Sequence, residues 1–352
     1  SPRELVQLLP EAGRPRGVLP AVQIRRHPGN QQRLSAHPCP RTAGVGRHDG
    51  RFGRPGRDAP APDTERIACR HLMSASSRFP PEVTAWMERW RLLRDGELLT
   101  THSSWILPVR QGDMPAMLKV ARIPDEEAGY RLLTWWDGQG AARVFASAAG
   151  ALLMERASGA GDLAQIAWSG QDDEACRILC DTAARLHAPR SGPPPDLHPL
   201  QEWFQPLFRL AAEHAALAPA ARVARPLLAA PREVCPLHGD LHHENVLDFG
   251  DRGWLAIDPH GLLGERTFDY ANIFTNPDLS DPGRPLAILP GRLEARLSIV
   301  VATTGFEPER LLRWIIAWTG LSAAWFIGDG DGDGEGAAID LAINAMACRL
   351  LD

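Results

Sequence analysis

Lysine is almost absent from this chain. Lys119 is the only lysine among 352 residues, and arginine supplies every other fixed positive charge of a side chain. Lysine differs from arginine in presenting a compact ammonium on a flexible stem instead of a planar guanidinium. The sequence therefore indicates that this one position needs an ammonium.

Three further absences limit the class of protein. No run of 18 uncharged apolar residues occurs, so the pattern predicts no membrane-spanning helix. The six cysteines include no C-x-x-C pair, and Cys176 and Cys180 have the spacing of one helix face, typical of core residues. No secretory signal opens the chain, so we expect a protein of the reducing cytoplasm, without disulfides.

Charge is distributed unevenly along the sequence. Residues 1–72 hold 13 arginines and six acidic residues, a balance of +7, while the rest of the chain holds 25 basic and 37 acidic residues, a balance of −12. An acidic body attracts cationic small molecules and repels nucleic acid. We therefore expect a small-molecule partner and no nucleic acid.

Residues 1–72 do not read as a domain. They are rich in arginine, proline and glycine, and they show no sustained apolar period. The first methionine of the chain is Met73. We expect this head to be translated upstream sequence with no folded role. A basic nucleic-acid arm and a transit peptide are the alternatives.

The most informative stretch is Cys235–Leu247. Within it His238, Asp240 and Asn245 read H-G-D-x-x-x-x-N, and a short apolar strand over 254–257 then leads into Asp258. Phosphoryl transfer needs one carboxylate to orient the attacking hydroxyl, and an amide with a second carboxylate to hold magnesium on the phosphates. The pattern predicts these groups at one site.

Other interpretations of the same residues exist. His238, His242 and His243 could be zinc ligands or hydrogen-bonded loop histidines. A dinuclear metallophosphoesterase would need a D-x-H pattern after an early strand, and a later G-N-H-D/E. Asp196-Leu-His198 supplies the first pattern, but within proline-rich sequence, and the second is absent.

The remaining elements follow from periodicity. Strands are predicted at 105–109 and 116–120, and helices at 125–136, 172–187, 200–215, 292–301 and 307–326. A weaker helix at 221–229 should be kinked or restarted by Pro226. On the helix that starts at Asp125, Glu126 shares a face with Tyr130, and Glu127 is the second candidate for an inward-facing acid.

The motif H-G-D-x-x-x-x-N followed by I-D resembles the aminoglycoside/hydroxyurea phosphotransferases, which are relatives of protein kinases. Residues 264–271 resemble the family's segment that ends in D-x-A, and the similarity covers the chain from Met73 onward. The sequences of residues 135–140 and 153–156, together with the catalytic stretch, are most similar to streptomycin 6-phosphotransferases. The resemblance implies an α+β, bilobal, protein-kinase-like fold, with a small β-rich N-lobe over 73–157 and a larger helical C-lobe over 158–352. It also implies ATP and Mg²⁺ as cofactors, a monomer, and phosphate transfer to the 6-hydroxyl of streptomycin, which confers resistance. From the residues alone we expect a kinase of a small hydroxylated cation. The alternatives are a metal-dependent phosphoesterase, a kinase of another small hydroxylated molecule, and a pseudokinase that only binds.

The resemblance also assigns catalytic and metal-binding roles. Asp240 is the catalytic carboxylate, and Asn245 and Asp258 are the magnesium ligands. Lys119 grips the nucleotide phosphates, and Glu126 positions Lys119 by an ion pair.

Around these residues the family pattern implies supporting parts. Glu155 and Ala157 lie on the hinge whose backbone meets adenine. His238 and Asp269 hold the catalytic loop. Where a kinase carries G-x-G-x-x-G, this chain has the hydroxyl-rich segment 100–104, which leaves the nucleotide preference open.

An acidic, glycine-rich segment spans 328–336. Asp329, Asp331, Asp333 and Asp340 fall at positions 1, 3, 5 and 12 of a calcium-loop pattern, but position 8 is glycine and position 12 is Asp instead of Glu. A solvated acidic loop and a loop that attracts a cationic substrate are the other interpretations.

Overall fold

The computed structural model describes residues 79–123, 126–330 and 334–352. The predicted head over 1–72, Met73, Asp125, Asp331 and Asp333 lie outside these residues. Within the described residues the chain first builds an antiparallel sheet and then a mostly helical body. This is the α+β, kinase-like arrangement that the sequence predicts.

The sheet of the first part is antiparallel throughout. Helix α1 (Pro81–Arg89) precedes it, and its strands are β1 Leu93–Arg94, β2 Leu99–Thr100, β3 Ser104–Gln111, β4 Met114–Ala121, β5 Val144–Ala148 and β6 Ala151–Glu155. Their order is β1-β3-β4-β6-β5, with β2 paired to β3. Helix α2 (Glu126–Trp136) joins β4 to β5.

Alternation along β4 sets the direction of Lys119. Ala116, Leu118 and Val120 are buried in a small core under α1, while Met117 packs against the main core of the protein. Because successive side chains of a strand point to opposite faces, Lys119 lies on the face of Met117, toward the helical body. The lysine is therefore directed into the space between the two parts of the molecule.

The second part of the chain is mostly helical. Its helices are α3 Leu163–Ile166, α4 Asp172–His187, α5 Leu200–Trp203, α6 Gln205–Leu210, α7 Ala218–Ala229, α8 Thr267–Ala271, α9 Arg292–Thr304, α10 Pro308–Gly328 and α11 Glu335–Leu351. Its short strands are β7 His198–Pro199, β8 Val234–Leu237, β9 Val246–Asp248, β10 Trp254–Ala256 and β11 Leu262–Glu265. They form a β9–β10 hairpin and a sheet of order β7-β11-β8.

Helix α10 is the central helix of the body. Trp314 and Trp318 on this helix are fully buried, and both meet Phe268 edge to face. In the described part of the chain, α10 alone is long and apolar enough to cross a membrane by length and composition. However, 72% of its most apolar window is buried inside the protein. It is packed as a core helix.

Prolines explain where the observed helices differ from the sequence pattern. The helix predicted over 200–215 is two short helices, α5 and α6, because Pro206 lacks the N–H that would bond to the carbonyl of Glu202. By contrast, α7 continues through Pro226 without restarting. Its apolar face, which includes Ala224 and Leu227, is buried and holds the helix together.

The structure does not support the calcium-loop interpretation at its last position. Asp340, at the last position of that pattern, lies inside α11 and is fully buried. A calcium loop would need this side chain to reach back to an ion bound by the loop. Helix α11 begins at Glu335, within the acidic, glycine-rich segment.

Candidate active site

The loop between β8 and β9 is held by one buried carboxylate. Asp269, on α8, accepts hydrogen bonds from the backbone N–H groups of His238 and Gly239, both at 2.8 Å. The same carboxylate lies 2.8 Å from Nε2 of His187. The predicted contact between Asp269 and the loop backbone is therefore confirmed, and it anchors the segment that presents Asp240.

Gly239 is required by this anchoring. Its φ is +85°, in the left-handed region, and an added Cβ would lie 2.8 Å from Cδ1 of Leu262. Both the backbone angle and the close packing exclude a side chain here. The G of H-G-D thus has a steric reason.

His238 joins the loop to the strand end that carries Asp258. Its Nε2 donates to the carbonyl of Ile257 at 2.8 Å, and its Nδ1 accepts from the N–H of Asp240 at 3.2 Å. Burial lowers the pKa of His238 below its usual value. The neutral ring therefore ties the loop of Asp240 to the strand end of Asp258. The predicted structural role of His238 in the loop is confirmed.

Asp240 is buried and surrounded by donors. The Nδ2 of Asn245 donates to the carbonyl of Asp240 at 2.8 Å and to its Oδ2 at 3.0 Å. Nε2 of His242 lies 3.4 Å from the same Oδ2, and Nδ2 of Asn272 lies 3.4 Å from Oδ1. Burial alone would lower the pKa of His242, but the carboxylate of Asp240 raises it above its usual value. The contact of His242 fits the hydrogen-bonded loop histidine that the sequence offers as the alternative to a zinc ligand. The pattern assigns no partner to Asn272, so its contact could not be predicted.

Lys119 lies between two carboxylates. Its Nζ is 2.5 Å from Oε2 of Glu126 and also contacts Oδ1 of Asp258. The side chain is 3% exposed. Burial alone would lower the pKa of Lys119, but Asp258 and then Glu126 raise it above the usual value for lysine. The ion pair with Glu126 that the sequence predicts is present.

Asp258 adopts an unusual backbone conformation. Its φ is +60°, which is uncommon for a non-glycine residue and often marks a functional position. Burial alone would raise the pKa of this carboxyl, but Lys119 holds it below the usual range. Asp258 therefore remains ionised beside Lys119.

The side chain of Glu155, at the end of β6, ties the predicted hinge to the body. It contacts Nη1 of Arg252 and accepts the N–H of Arg143 at 3.2 Å. Ala157 is half-buried against the main core. These contacts fix the segment, while adenine binding by its backbone stays a prediction.

The segment after Ala157 is clamped onto β9. The N–H of Gly159 donates to the carbonyl of Asp248 at 3.0 Å, and that of Gly161 donates to its carboxylate at 2.9 Å. A Cβ at Gly159 would lie 1.9 Å from the carboxyl carbon of Asp248. The connection between sheet and body therefore approaches β9 closely.

A tight turn stands where a kinase carries its glycine-rich loop. Between β2 and β3, the N–H of Thr101 donates to the carbonyl of Ser104, and the N–H of Ser104 donates to Oγ1 of Thr101, both at 2.9 Å. The side-chain hydroxyl of Thr101 thus stabilises the turn. A role of this turn in covering nucleotide phosphates stays a prediction.

The zinc interpretation is not supported by the site. Among the described residues no group of three or more His, Cys, Asp and Glu side chains is placed to hold a metal ion. Both ring nitrogens of His238 are engaged in hydrogen bonds to the backbone. Both ring nitrogens of His243 are buried without a hydrogen-bond partner in the described residues. Burial lowers the pKa of His243 well below its usual value.

Comparisons with known proteins agree with the sequence resemblance. The aminoglycoside/hydroxyurea antibiotic resistance kinase family matches residues 89–330. A streptomycin 3''-kinase of Klebsiella pneumoniae is 98% identical over 266 residues, which cover 76% of this chain and 100% of the relative. A streptomycin 6-kinase of Streptomyces griseus is 31% identical over 220 residues, which cover 54% of this chain and 65% of the relative.

Solved structures share the fold at low sequence identity. An amicoumacin kinase in complex with AMP-PNP, Ca²⁺ and Ami matches with a TM-score of 0.57 at 13% identity, covering 78% of this chain and 96% of that one. An aminoglycoside phosphotransferase in ternary complex with ADP and hygromycin B matches with a TM-score of 0.52 at 14% identity, covering 75% and 97%. These likenesses confirm the kinase-like fold. The match over residues 89–330 shows that the chain belongs to the aminoglycoside/hydroxyurea antibiotic resistance kinase family.

Proposed function

We propose that this protein transfers the γ-phosphoryl group of ATP to a hydroxyl of streptomycin. The observation that carries the proposal is the meeting of three segments at one place. Lys119 from the sheet contacts Asp258 at a strand end, and His238 links that strand end to the loop of Asp240 and Asn245. Phosphoryl transfer depends on positioning and on electrostatic stabilisation, and this arrangement supplies both kinds of group.

Asp240 is the proposed catalytic carboxylate. Its buried position and its hydrogen bonds from Asn245 fix its orientation. A carboxylate held in this way can accept a hydrogen bond from the acceptor hydroxyl and direct the hydroxyl oxygen at the phosphorus. Lys119 would exchange its contact with Asp258 for the phosphate oxygens, while Glu126 keeps the ammonium in place.

The chain's own oxygen atoms suit a magnesium ion. Because Nδ2 of Asn245 donates to Asp240, its Oδ1 is directed away from that carboxylate. Only Oδ1 of Asp258 contacts Lys119, so Oδ2 remains as a second hard donor. Mg²⁺ prefers oxygen ligands and needs few from the protein when phosphates supply others. The bound ion would neutralise charge on the phosphates.

Streptomycin is proposed as the acceptor because of the relatives and the charge. The kinase that is 98% identical to this chain is named for streptomycin. Streptomycin carries two guanidinium groups and an amine, and the chain outside residues 1–72 has a balance of −12. A cationic acceptor is attracted by such a field.

The relatives differ over the hydroxyl that is modified. The relative at 98% identity is named a 3''-kinase, and this name makes the 3''-hydroxyl the first candidate. Relatives at 31% and 26% identity are named 6-kinases, and they keep the 6-hydroxyl of the sequence-based prediction as the second. Phosphorus–proton correlation in the NMR spectrum of the purified product assigns the position directly.

The activity is tested with the purified enzyme, ATP, Mg²⁺ and streptomycin. We expect ADP and mono-phosphorylated streptomycin in equal amounts, and no phosphate release from the product. Phosphate release from phosphorylated streptomycin without ATP would favour the phosphoesterase alternative. Turnover of hydroxyurea but not of streptomycin would favour another acceptor, since a hydroxyurea phosphotransferase of Kitasatospora aureofaciens is 29% identical.

We also propose that the enzyme works as a monomer in the cytoplasm, where ATP is available. Sedimentation at micromolar concentration, with and without streptomycin, tests the monomer. A dimer mass would contradict it.

A further inference from the structure

Three half-buried rings form a continuous surface beside the catalytic loop. His260 follows Asp258 by two residues, and its ring centroid lies 4.9 Å from that of Trp203 at the end of α5. Trp325, on α10, meets Trp203 edge to face at 5.7 Å. We call His260, Trp203 and Trp325 the aromatic wall.

The aromatic wall begins next to Asp240. The N–H of His260 donates to the carbonyl of His238 at 2.7 Å, and a Cβ added at Gly239 would lie 3.2 Å from Cβ of His260. A multi-ring acceptor with one hydroxyl at Asp240 can therefore extend along these rings. The wall lies on the side of the helical body, whereas the predicted adenine site is at the hinge.

Two buried polar atoms at the wall have no hydrogen-bond partner among the described residues. They are Nε1 of Trp203, a donor, and Oδ2 of Asp329, an acceptor. Asp329 follows Trp325 by one helical turn, and its N–H donates to the carbonyl of Trp325 at 3.0 Å. Buried donors and acceptors are normally satisfied, so these two missing partners, one on the middle ring of the wall and one a helical turn beyond Trp325, point to a ligand.

The chemistry of the wall suits a planar cation. A guanidinium stacks flat on an aromatic ring and donates from its edge to a carboxylate, which a strongly hydrated ammonium does less well. The same type of contact, a guanidinium over a tryptophan ring, occurs between side chains of this protein. Arg284 lies 4.0 Å over the ring of Trp168, and Arg89 lies 4.8 Å over that of Trp86.

We propose that the aromatic wall and Asp329 bind a guanidinium group of the acceptor. The group stacks flat on the indole of Trp325 and packs against Trp203, whose ring stands at 75° to that of Trp325. Its edge N–H groups donate to Oδ2 of Asp329. Nε1 of Trp203 donates to an acceptor oxygen. This inference rests on the proposed function, because the acceptor is taken to be streptomycin.

The test compares Trp203→Leu and Trp325→Leu with Trp325→Phe and with a distant control, Trp86→Leu. We expect the KM for streptomycin to rise about 3- to 30-fold in the two wall variants, the range that loss of a cation–π contact gives. The KM for ATP should stay within about twofold of the parent, since the wall does not face the hinge. Trp325→Phe should retain most of the affinity, and Trp86→Leu should change neither constant.

Asp329→Asn tests the carboxylate separately, with Glu335→Gln as the neighbouring control. Asp329→Asn should raise the KM for streptomycin by a similar factor, and Glu335→Gln should not. Calorimetric binding of streptidine, a compound with two guanidinium groups, should weaken in the same variants as the KM rises.

Two outcomes would overturn the inference. One is an unchanged KM for streptomycin in both folded wall variants. The other is an equal rise in the KM for ATP together with a lower Tm, which would show a structural role only. If the parent leaves streptomycin unmodified, the proposed function fails. Streptidine binding then still tests the aromatic wall separately. Equal affinity for streptidine in the parent and in the wall variants would exclude guanidinium recognition by the wall.

Discussion

Replacing Lys119 separates the structural and functional roles of the one lysine. The ammonium is 3% exposed and contacts Glu126, which is 13% exposed, and Asp258, which is 40% exposed. Removing one partner of a buried ion pair costs about 3–5 kcal/mol. Because Asp258 is partly solvated, we expect Lys119→Met to lose less, about 2–3 kcal/mol of unfolding free energy at neutral pH.

The pH dependence of this loss has a definite sign. Lys119 holds the pKa of Asp258 below its usual range, so the pair stabilises the fold above the pKa of the unfolded carboxyl, about 4. That contribution disappears as the pH falls through the lower folded pKa. The difference in stability between parent and Lys119→Met should therefore be largest near neutral pH and shrink below about pH 4.

Urea unfolding at neutral and acid pH measures the difference in stability between the parent and Lys119→Met. Two further variants separate the contribution of charge from that of side-chain shape. Lys119→Arg keeps the charge, so its stability should be closer to that of the parent, while its activity falls because a guanidinium cannot replace the ammonium at the phosphates. Adding Glu126→Gln to Lys119→Met should restore part of the stability. Equal stability of the parent and Lys119→Met at neutral pH, or a loss that does not change with pH, would refute the reasoning.

Three other predictions follow from particular groups. Asp269→Asn places an amide N–H₂ against a backbone N–H, so we expect a loss of about 2–3 kcal/mol in unfolding free energy and a lower kcat. The exposed control Asp251→Asn should match the parent in urea unfolding. Burial raises the pKa of Asp340 well above its usual value, so ionisation of this carboxyl costs stability as the pH rises above about 4. Asp340→Asn should therefore be more stable than the parent at pH 8, and the two stabilities should converge at acid pH. A parent that is more stable than Asp340→Asn at pH 8 would contradict this. Deleting residues 1–72, which offer no apolar core, should leave Tm and kcat unchanged, and a large drop in either would show that the head folds onto the body.

The sequence predicts those parts of the site that depend on short spacing. Asp240 and Asn245 are five residues apart in one loop, and Asp258 follows a short strand, so their proximity can be read locally. Lys119 is identified by being the only lysine. Its partner Glu126 follows from helical periodicity in the next element.

Other contacts could not be predicted, because packing between distant segments creates them. Nothing in the local pattern indicates that Asn272 reaches Asp240, or that Trp203 meets Trp325. The burial of Asp340 could not be predicted, because the acidic, glycine-rich sequence that precedes it is typical of a solvated loop. The structure shows that α11 begins at Glu335 and turns Asp340 inward.

The central claim is that Asp240 directs a hydroxyl of streptomycin at the phosphorus of ATP. The direct measurement is the rate of phosphorylated streptomycin formation, followed by mass spectrometry, for the parent and Asp240→Asn at saturating ATP, alongside calorimetric ATP binding. We predict that the rate falls by about 10²–10⁴ while ATP affinity stays unchanged. An Asp240→Asn variant that turns over like the parent, or that loses ATP binding together with the rate, would contradict the account.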